Sequence, residues 1–438
     1  MAVMCESPAG WLLDELILIN KWYQFGGGLR AAPSSVSQEE GHSNKRTVYK
    51  LNDELFMLIK PYISSHTSTQ PVTPDNAAAA SSCRLENSPH LPIKAGKKKR
   101  KRLNALNQGE LDALAYHQQI CDLILKGSLE LIQEGLKKGL LHTFSQEEEG
   151  NCPTSSGVCV FRNGLAELCN MNKDLHFLGS QEYPVNIIGS EQPVSQDIDY
   201  LSCITENISE WPQLLHLLGE KYIIPPKTSF LLSDISCMQS LLHYKKYGII
   251  VLDPPWENKS VKRSKRYNHL SPLEIKQLPI PALAAQNCLV VTWVTNRQKH
   301  LRFVKEDLYP HWSVRTLAEW HWVKITQSGE YVFPIESAHK KPYEILVLGR
   351  LMDANVSPAR EPDPDLIPIP RHKIMVSVPC NLHSHKPPLS EVLKPYVKPD
   401  VECLELFARN LQPGWTSWGN EVLKFQHVDY FIPSETEN

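Results

Sequence analysis

The sequence predicts an α/β fold in the second half of the chain, preceded by a mainly helical, partly disordered N-terminal half. Three observations support this prediction: an apolar run that stops at two prolines, an alternation of apolar runs with helical segments, and a polar linker that ends in six cations. A chain of 438 residues is too long for one ordinary domain. We expect a small ordered segment over 1–62, a disordered linker over 63–103, a helical or mixed region over 104–210 and the α/β domain over 211–438.

Composition and charge exclude several classes of protein. The formal net charge is −2, so contacts with nucleic acid must come from local basic patches. The 11 cysteines include no Cys-x-x-Cys pair, which argues against a zinc ribbon or a disulfide framework and favours a reducing compartment. No apolar run approaches the roughly 20 residues of a membrane span, and no basic region precedes the N-terminal apolar stretch. We therefore expect a soluble, intracellular protein without a membrane partner.

Short ordered patterns alternate with polar sequence in the N-terminal half. Residues 10–23 have the apolar spacing of a helix, a strand is expected near Val48, and a second helix over 53–59. The Ser-, Thr-, Pro- and Ala-rich stretch 64–96 has little to bury and is predicted to be disordered. A later apolar stripe predicts a helix that packs on the α/β domain or binds a partner: Leu125, Leu129, Ile132, Leu136 and Leu140.

Six consecutive cations end the linker: Lys97, Lys98, Lys99, Arg100, Lys101 and Arg102. Repulsion between like charges keeps such a run extended and solvated. The run is typical of a nuclear localisation signal, of an RNA-binding arm, or of both, and a solvated charge run without function is the alternative. We predict a nuclear protein, with the cytosol as a second location.

Apolar runs of strand length recur after residue 220, at 230–235, 248–253, 288–294, 321–325, 345–348, 373–378, 401–407 and 416–418. Helical connections at 271–277 and 297–308 separate some of them. This alternation predicts a sheet with helices on both faces. Ligands bind such sheets beyond the carboxyl ends of the strands, where Asp253, Thr295 and Arg409 are expected.

The stretch Asp253-Pro254-Pro255-Trp256 carries the clearest chemical signal. It follows an apolar run that suits a strand buried on both faces, and its prolines end that strand with carbonyls pointing outward. Asp253 and the Pro254 carbonyl can accept the two protons of an aromatic amine while Trp256 stacks on the ring. The nitrogen lone pair is then directed at an electrophile such as a sulfonium methyl. The alternative is an ordinary proline turn in which Trp256 caps the core.

Five motifs resemble, in the same order, those of the N6-adenine methyltransferases typified by the messenger-RNA adenosine methyltransferase catalytic subunit. The resemblance covers roughly residues 220 to 430 and includes Lys341-Pro342-Tyr343-Glu344 before a predicted strand. It implies a Rossmann-like, S-adenosylmethionine-dependent methyltransferase domain that acts on the exocyclic amine of adenine. The motifs are Asp253-Pro254-Pro255-Trp256, Trp293-Val294-Thr295-Asn296-Arg297, His385-Lys386-Pro387, Glu405-Leu406-Phe407-Ala408-Arg409 and Trp418-Gly419-Asn420-Glu421.

The same resemblance implies a set of cofactor contacts. Asp234 and Ile235 are expected at the adenine of S-adenosylmethionine, Lys386 at its methionine carboxylate, and Asp253 near the reacting group. The remaining contacts, to the ribose and the polar tail, are implied for Glu405, Arg409, Asn410, Asn420 and Glu421. Acids and amides suit ribose hydroxyls, and a cation suits a carboxylate. The segment 409–412 is shorter than its counterpart in the messenger-RNA enzyme.

Basic residues and an aromatic residue follow Trp256, as expected of a loop that holds a strand with one base turned outward: Lys259, Lys262, Arg263, Lys265, Arg266 and Tyr267. A flexible solvated loop is the alternative. The resemblance adds Trp293 and Asn296 to the substrate-binding residues. His339, Lys340 and Lys341 form a second candidate for phosphate contact. The histidines lack metal-ligand spacing, so no metal is assigned.

RNA is the expected substrate, because the resemblance points to small nuclear RNA whose target adenosine already carries a 2′-O-methyl group. DNA adenine is a second substrate class that the resemblance allows. A catalytically silent scaffold for RNA or for a partner methyltransferase is the main alternative, although such members tend to lose the acid that Asp253 supplies here. Methylation of cytosine N4 is a third reading. A protein partner is compatible with the sequence but is not required by it.

Overall fold

Strands and helices alternate along the part of the chain that the computed structural model describes, residues 3–24, 48–63, 107–142, 164–172, 183–189, 199–201, 203–234, 237–257, 269–337, 340–352, 366–382 and 384–434. The strands are β1 Val3–Ser7, β2 Gly10–Leu13, β3 Val48–Leu51, β4 Val185–Ile188, β5 Ile204–Asn207, β6 Gln213–Leu217, β7 Glu220–Ile224, β8 Thr228–Leu232, β9 Tyr247–Leu252, β10 Ala284–Val294, β11 Val314–Lys324, β12 Tyr343–Leu351, β13 Ile374–Ser377, β14 Cys403–Leu406, β15 Trp415–Gly419 and β16 Phe431–Ser434.

The helices of the described residues are mostly short. They are α1 Glu15–Gln24, α2 Gln108–Lys137, α3 Leu165–Asn172, α4 Gln239–Tyr244, α5 Pro272–Lys276, α6 Ile280–Leu283, α7 Gln298–Arg302 and α8 Ser390–Leu393. A wider turn, Phe303–Leu308, and one more turn, Tyr309–His311, extend α7. Among these ranges no helix is both long enough and apolar enough to cross a bilayer.

Twelve strands form one mixed sheet in the order β1-β2-β13-β11-β12-β10-β9-β14-β15-β8-β5-β4. Two small sheets pair β3 with β16 and β6 with β7. The strands β8 to β15 match the eight predicted after residue 220, and α5 and α7 match the predicted helical connections. The predicted α/β, Rossmann-like fold class is confirmed.

The strand β9 lies in the middle of the parallel part of the sheet, between β10 and β14. Its residues 249–252 are at most 3% exposed. On one face, Ile250 and Leu252 belong to the cluster that contains buried residues of α2, α5 and α7, and on the other face Ile249 and Val251 belong to the cluster that contains α8. Burial on both faces explains why this strand is apolar at every position.

The N-terminal strands belong to the same sheet as the later ones, because β2 pairs with β13 in parallel and β5 pairs with β8. The sheet therefore crosses the boundary predicted at residue 211. The helix predicted over 10–23 is wrong in its first part, which forms β2. A Cβ atom at Gly10 would lie 1.8 Å from the Ile374 carbonyl oxygen, so the missing side chain permits this pairing. After Asp14 caps the next turn by accepting from Ile17 N–H, α1 begins.

The strand predicted near Val48 is confirmed as β3, which pairs with β16 near the C-terminus. The helix predicted over 53–59 is shorter than expected and consists of one 3-10 turn, Asp53–Phe56. Asn52 caps it by accepting from Glu54 N–H at 3.0 Å. This turn and α1 cover the loop that follows β13, as the Leu55 carbonyl accepts from Asn381 N–H.

The long helix α2 packs on the sheet over β1, β2 and β13, as the first of the two predicted alternatives requires. The predicted stripe is wrong at Leu129 and Leu136, which are 45% and 36% exposed, and is confirmed at Ile132, which is buried. The buried face is centred on Ile124 and Leu131 with Gly127 between them. A Cβ at Gly127 would lie 2.6 Å from the Ile374 side chain, so small residues set which face approaches the sheet.

Candidate active site

Five neighbouring parallel strands end at one edge of the sheet. We call it the carboxyl edge. Open α/β sheets bind ligands at such edges. Polar side chains that the sequence marked as candidates follow these ends: Asp234 after β8, Asn420 after β15, Arg409 after β14, Asp253 after β9 and Asn296 after β10. The strand β12 begins at this edge and β11 ends at it, because β12 runs antiparallel to both β10 and β11.

Asp253 lies between two cations at the centre of the carboxyl edge. Its Oδ2 is 3.1 Å from Lys386 Nζ and 3.7 Å from Arg409 Nη1. The three side chains are 14 to 15% exposed, so little water separates them. Asp253 N–H donates to the Leu406 carbonyl at 3.3 Å, which continues the pairing of β9 with β14 past the strand end. Backbone and cations together fix the carboxylate.

Lys386 is shared with a second acid, because its Nζ is 3.2 Å from Glu344 Oε2. Glu344 also pairs with Lys324, the last residue of β11. Burial raises the pKa of Glu344, but the charges of Lys324 and Lys386 outweigh burial and lower this pKa to about 2. For Lys386, burial lowers the pKa, whereas Asp253 and Glu344 raise it above its usual value. The result is an alternating row of charges from β11 to β9.

Sequence reasoning gave Glu344 and Lys324 no role. Glu344 was noticed only as the end of a family motif, and Lys324 lies at the end of a predicted strand. Each of the two residues lies near the end of a predicted strand, and β11 ends and β12 begins at the carboxyl edge. Only the order of the strands in the sheet shows that these two strand ends lie beside Lys386.

Arg409 joins Asp253 to a second acidic group. Its Nε is 3.0 Å from Glu421 Oε2, and Glu421 Oε1 is 2.9 Å from Lys424 Nζ. Burial opposes ionisation of Glu421, but Arg409 and Lys424 lower its pKa below the usual value. Phe407 turns the chain after β14 with a φ of 62°. A non-glycine residue in this left-handed region is strained, and strain of this kind concentrates at functional sites.

A cleft with an empty volume of about 270 Å³ opens beside Lys386, and Trp293, Glu405, Asn410 and Gln412 line it. Burial and the charge of Asp253 raise the pKa of Glu405 to about 7, against the lowering effects of Gln412, Lys386 and Arg409. Gln412 Nε2 donates to Glu405 Oε2 at 3.4 Å. Gln412 Oε1 is buried and has no hydrogen-bond partner among the described residues. The cleft thus holds a cation, a carboxyl group and an orphaned amide oxygen.

Trp256 does not present the open aromatic face that the sequence predicted. Trp256 is only 8% exposed, and its indole N–H donates to the Trp293 carbonyl at 2.9 Å. Its ring lies 4.9 Å from that of His300 and 6.4 Å from that of Phe303. This indole hydrogen bond and these ring contacts place Trp256 in the core, as the proline-turn alternative expects. The Pro254 carbonyl accepts from Trp256 N–H at 2.8 Å, which leaves it a second lone pair.

The two further substrate-binding candidates differ in position. Trp293 is 2% exposed and has Lys386 Nζ 5.6 Å from its ring centre, so it forms a wall of the cleft and has no free face for a base. Asn296 lies at the carboxyl edge and donates from Nδ2 to the Tyr343 carbonyl at 2.6 Å. Its buried Oδ1 has no hydrogen-bond partner within the described ranges.

Several candidates lie outside the described residues: Ile235, Lys259, Lys262, Arg263, Lys265, Arg266, Tyr267, His339 and the run Lys97 to Arg102. Lys341 donates to the Ile335 carbonyl at 2.9 Å, and burial lowers its pKa. Lys340 Nζ lies 5.2 Å from the centre of the Phe333 ring. Internal contacts of this kind make Lys341 a weaker candidate for phosphate contact than the sequence suggested.

Comparison with known proteins agrees with this geometry. Residues 247–421, from β9 to Glu421, match the MT-A70 family. The chain is 50% identical to the N(6)-adenine-specific methyltransferase METTL4 of Homo sapiens, over 100% of both chains. This chain belongs to the METTL4 type of N6-adenine methyltransferases. The MT-A70 match contains Asp253, Lys386, Arg409 and Glu405, the cluster that the fold brings together.

More distant relatives match about half of this METTL4-type chain. The N6-methyladenosine RNA methyltransferase MTA1 of Pyricularia oryzae is 35% identical over 50% of this chain and 58% of its own. The DNA N6-methyl methyltransferase of Caenorhabditis elegans is 33% identical over 48% of this chain and 56% of its own. The METTL4 relatives thus match this chain over its full length, whereas these two relatives match about half of it.

The family implies S-adenosylmethionine as the methyl donor, and the cleft suits this cofactor. When bound, it supplies a methyl group on a positively charged sulfur. Lys386 matches a carboxylate, and Glu405, Asn410 and the orphaned Gln412 Oε1 match hydroxyl and amine donors. We expect these residues to hold the cofactor together with those predicted along the edge, Asp234, Arg409, Asn420 and Glu421. Gln412 is an addition that the sequence prediction lacked.

Proposed function

We propose that this enzyme methylates N6 of adenosine in RNA, with small nuclear RNA as its substrate. The target adenosine carries a 2′-O-methyl group, and the product is N6,2′-O-dimethyladenosine. The observation that carries the proposal is the position of Asp253, held by two cations one residue before the Pro254 carbonyl. RNA is supported by the sequence resemblance, and relatives acting on RNA and on DNA make DNA adenine the competing substrate.

The chemistry follows from two acceptors at the carboxyl edge. Asp253 and the Pro254 carbonyl take the two N–H bonds of the adenine amine, which makes the nitrogen tetrahedral and aims its lone pair at the methyl group. Lys386 and Arg409 both approach Oδ2, so we assign Asp253 Oδ1 to the amine and to the proton that nitrogen releases. The chain thus contributes orientation and electrostatics, without a covalent intermediate.

Methyl transfer to oligonucleotides tests this proposal. Purified protein and labelled cofactor are incubated with matched RNA and DNA, with and without 2′-O-methyl on the adenosine, and nucleosides are identified by mass spectrometry. We expect N6-methylated adenosine with RNA and a preference for the 2′-O-methylated substrate. DNA preference would overturn the substrate assignment, and cofactor binding without any methylated nucleoside would favour the scaffold alternative or a missing partner.

The variant Asp253→Asn tests the site itself. It keeps the shape of the side chain but removes the charge, and turnover is expected to fall on the order of a hundredfold or more while the protein stays folded. Asp122→Asn, on the exposed face of α2, is the matched control and should retain turnover. Wild-type turnover in Asp253→Asn would refute the role of Asp253.

The basic segment after Trp256 is proposed to hold the nucleic acid strand. Its two ends lie at the carboxyl edge, because Leu270 N–H donates to the Pro255 carbonyl at 3.1 Å. Replacing Lys262, Arg263, Lys265 and Arg266 by Ala should weaken RNA binding and reduce its dependence on salt, by about 0.7 in the logarithmic slope for each phosphate contact removed. An unchanged slope would contradict this role.

Nuclear import is proposed for the six-cation run 97–102. Deleting these residues from a fluorescent fusion should move the protein to the cytosol. Deleting the uncharged stretch Asn76 to Ser81 serves as the control of equal length. A deletion protein that stays nuclear would refute the proposal.

A further inference from the structure

A buried acid from the N-terminal half lies beside the loop that carries Lys386. Glu15, the first residue of α1, is 3% exposed. Its Oε1 accepts from the hydroxyl of Ser377 at 2.5 Å, and its Oε2 is 3.9 Å from Nδ1 of His385. His385 directly precedes Lys386. The sequence resemblance did not include Glu15, which lies 232 positions before the MT-A70 match begins at residue 247.

The hydrogen bonds around Glu15 indicate where its proton lies. The Trp322 indole N–H donates to Ser377 Oγ at 2.8 Å and occupies one of its two lone pairs. Ser377 Oγ in turn donates its hydroxyl proton to Glu15 Oε1. Glu15 Oε2 and His385 Nδ1 are both buried and without a hydrogen-bond partner among the described residues, and they face each other. One proton on Oε2 satisfies both atoms after a shift of less than about 1 Å.

The charges around Glu15 agree with a neutral acid. Burial raises its pKa to about 8, and Asp14 adds to this, whereas Ser377 and Lys324 oppose it. Burial and the neighbouring Lys386 lower the pKa of His385 to about 4, so its imidazole is neutral and can accept at Nδ1. Cys380, the other titratable group of this loop near Glu15, keeps its proton because burial raises the pKa of its thiol to about 12.

The loop that holds Lys386 packs against both the N-terminal half and the C-terminal residue Phe425. Ser384 adopts a left-handed backbone with a φ of 68° just before His385. The His385 ring is 5.9 Å from the ring of Phe56 and 4.9 Å from that of Phe425. Asn381 N–H donates to the Leu55 carbonyl. Aromatic contacts alone leave the imidazole free to turn in its plane, so a polar anchor is needed to fix it.

We propose that Glu15 is a positioning residue for the methyl-transfer site, whose protonated carboxyl group anchors His385 and thereby sets Lys386 against Asp253 and the cofactor carboxylate. This inference rests on the cofactor role proposed for Lys386. It gives the N-terminal half a part in catalysis through Glu15, which acts on the site by way of His385 and Lys386. A displacement of His385 also displaces Lys386, because the two residues are adjacent in the chain. Lys386 then moves relative to Asp253 and Glu344, its partners at the carboxyl edge.

Steady-state kinetics of three variants test the proposal, at a temperature where each is folded. Glu15→Leu keeps the volume but has no polar atom, and we expect the KM for the cofactor to rise about tenfold to a hundredfold. Glu15→Gln has an amide that accepts from Ser377 and donates to His385, so it should restore wild-type kinetics. Glu130→Gln, on the exposed face of α2, is the control for loss of a carboxyl group.

Three results would overturn the proposal. Glu15→Leu with wild-type kinetics and only a lower melting temperature would show a purely structural role. Glu15→Gln as impaired as Glu15→Leu would exclude the protonated carboxyl group. If Glu15→Leu does not fold, Ser377→Ala replaces it, and wild-type kinetics in that variant count against the anchor.

Lys386→Met separates this proposal from the one on which it rests. A raised cofactor KM in Lys386→Met with unchanged kinetics in Glu15→Leu would overturn only the role of Glu15. A wild-type KM in Lys386→Met would instead refute the cofactor role of Lys386. The pH profile adds a measurement that a purely structural role of Glu15 would not change. The cofactor KM of the wild type should rise above about pH 8 as Glu15 loses its proton, and Glu15→Gln should lack this rise.

Discussion

The ammonium group of Lys386 is 3.1 Å from Asp253 Oδ2 and 3.2 Å from Glu344 Oε2. One cation therefore joins the acid after β9 to the acid that begins β12, across the end of β10. A group shared in this way orients two carboxylates at once, and its removal leaves Asp253 with Arg409 alone and Glu344 with Lys324 alone. The arrangement makes Lys386 the residue whose loss should affect folding and cofactor binding together.

We predict that Lys386→Met lowers the free energy of unfolding by about 1.5 to 3 kcal/mol, because Asp253 and Glu344 each lose one of two cationic partners. Adding Glu344→Gln to that variant should cost less than Glu344→Gln costs in the wild type, since the contact between Lys386 and Glu344 is already gone. Denaturant unfolding of the two single variants and the double variant measures this coupling. Strictly additive losses would show that Lys386 and Glu344 do not interact.

Cofactor affinity should rise with pH between about 6 and 8, because burial and the charge of Asp253 raise the pKa of Glu405 to about 7 and its ionised form accepts hydroxyl donors better. Its raised pKa also means that the folded protein holds a proton that the unfolded chain has lost between about pH 4.5 and 7. The free energy of unfolding therefore falls as pH rises through this window.

Calorimetric titration of cofactor into wild type and Glu405→Gln at several pH values measures the first effect. Glu405→Gln should bind more weakly, and the part of the pH dependence centred near pH 7 should vanish. Glu421→Gln is the control, because the pKa of Glu421 is lowered and that group stays ionised in this range. Identical slopes in wild type and Glu405→Gln would remove Glu405 as the titrating group.

Trp256→Phe should lower the free energy of unfolding by about 1 to 3 kcal/mol, since the buried Trp293 carbonyl loses its indole donor. RNA affinity should stay unchanged, because the ring is packed against His300 and Phe303. Trp312→Phe is a matched control remote from the carboxyl edge, where an indole donates to the Lys276 carbonyl at 3.1 Å. A selective loss of RNA affinity in Trp256→Phe would restore the stacking role predicted from sequence.

Gly10→Ala should lower the free energy of unfolding by about 3 kcal/mol, because the added Cβ would meet the Ile374 carbonyl oxygen 1.8 Å away and force β2 from β13. Glu15 follows β2, so cofactor affinity should fall as well. Gly109→Ala provides the control: its Cβ would meet nothing closer than Asn107 Oδ1 at 3.4 Å, and α2 should gain up to about 1 kcal/mol. Thermal unfolding and cofactor titration of both variants check this prediction.

The sequence predicts β8 to β15 well because each strand contains a short apolar run and polar or helical connections separate these runs. It also brings Asp253, Lys386 and Arg409 to one site, since each follows a recognisable motif. It does not predict β2, because Gly10–Leu13 continues directly into an amphipathic helix and shares its apolar spacing. The pairing of β2 with a strand near residue 374 is a long-range contact that no local sequence pattern predicts.

Most of the site residues that the sequence missed are single charged side chains near the ends of strands. Glu344 and Lys324 acquire their role from the order of β10, β12 and β11 in the sheet, and Glu15 from the parallel pairing of β2 with β13. The burial of Trp256 was missed for a related reason: its partner, the Trp293 carbonyl, lies on another strand. Motifs identify residues that touch ligands, whereas the groups that hold them emerge from topology.

The bond between Ser377 and Glu15 joins residues 362 positions apart in the chain. On a ribosome that adds about 5–20 residues per second, the partner of Glu15 is made roughly 20 to 70 s after Glu15 itself. Trp11 and Leu12 are therefore synthesised long before β13 can cover them, and β3 waits still longer for β16. The growing chain has to be kept from aggregating during this interval, and its cofactor cleft cannot form until translation is nearly complete.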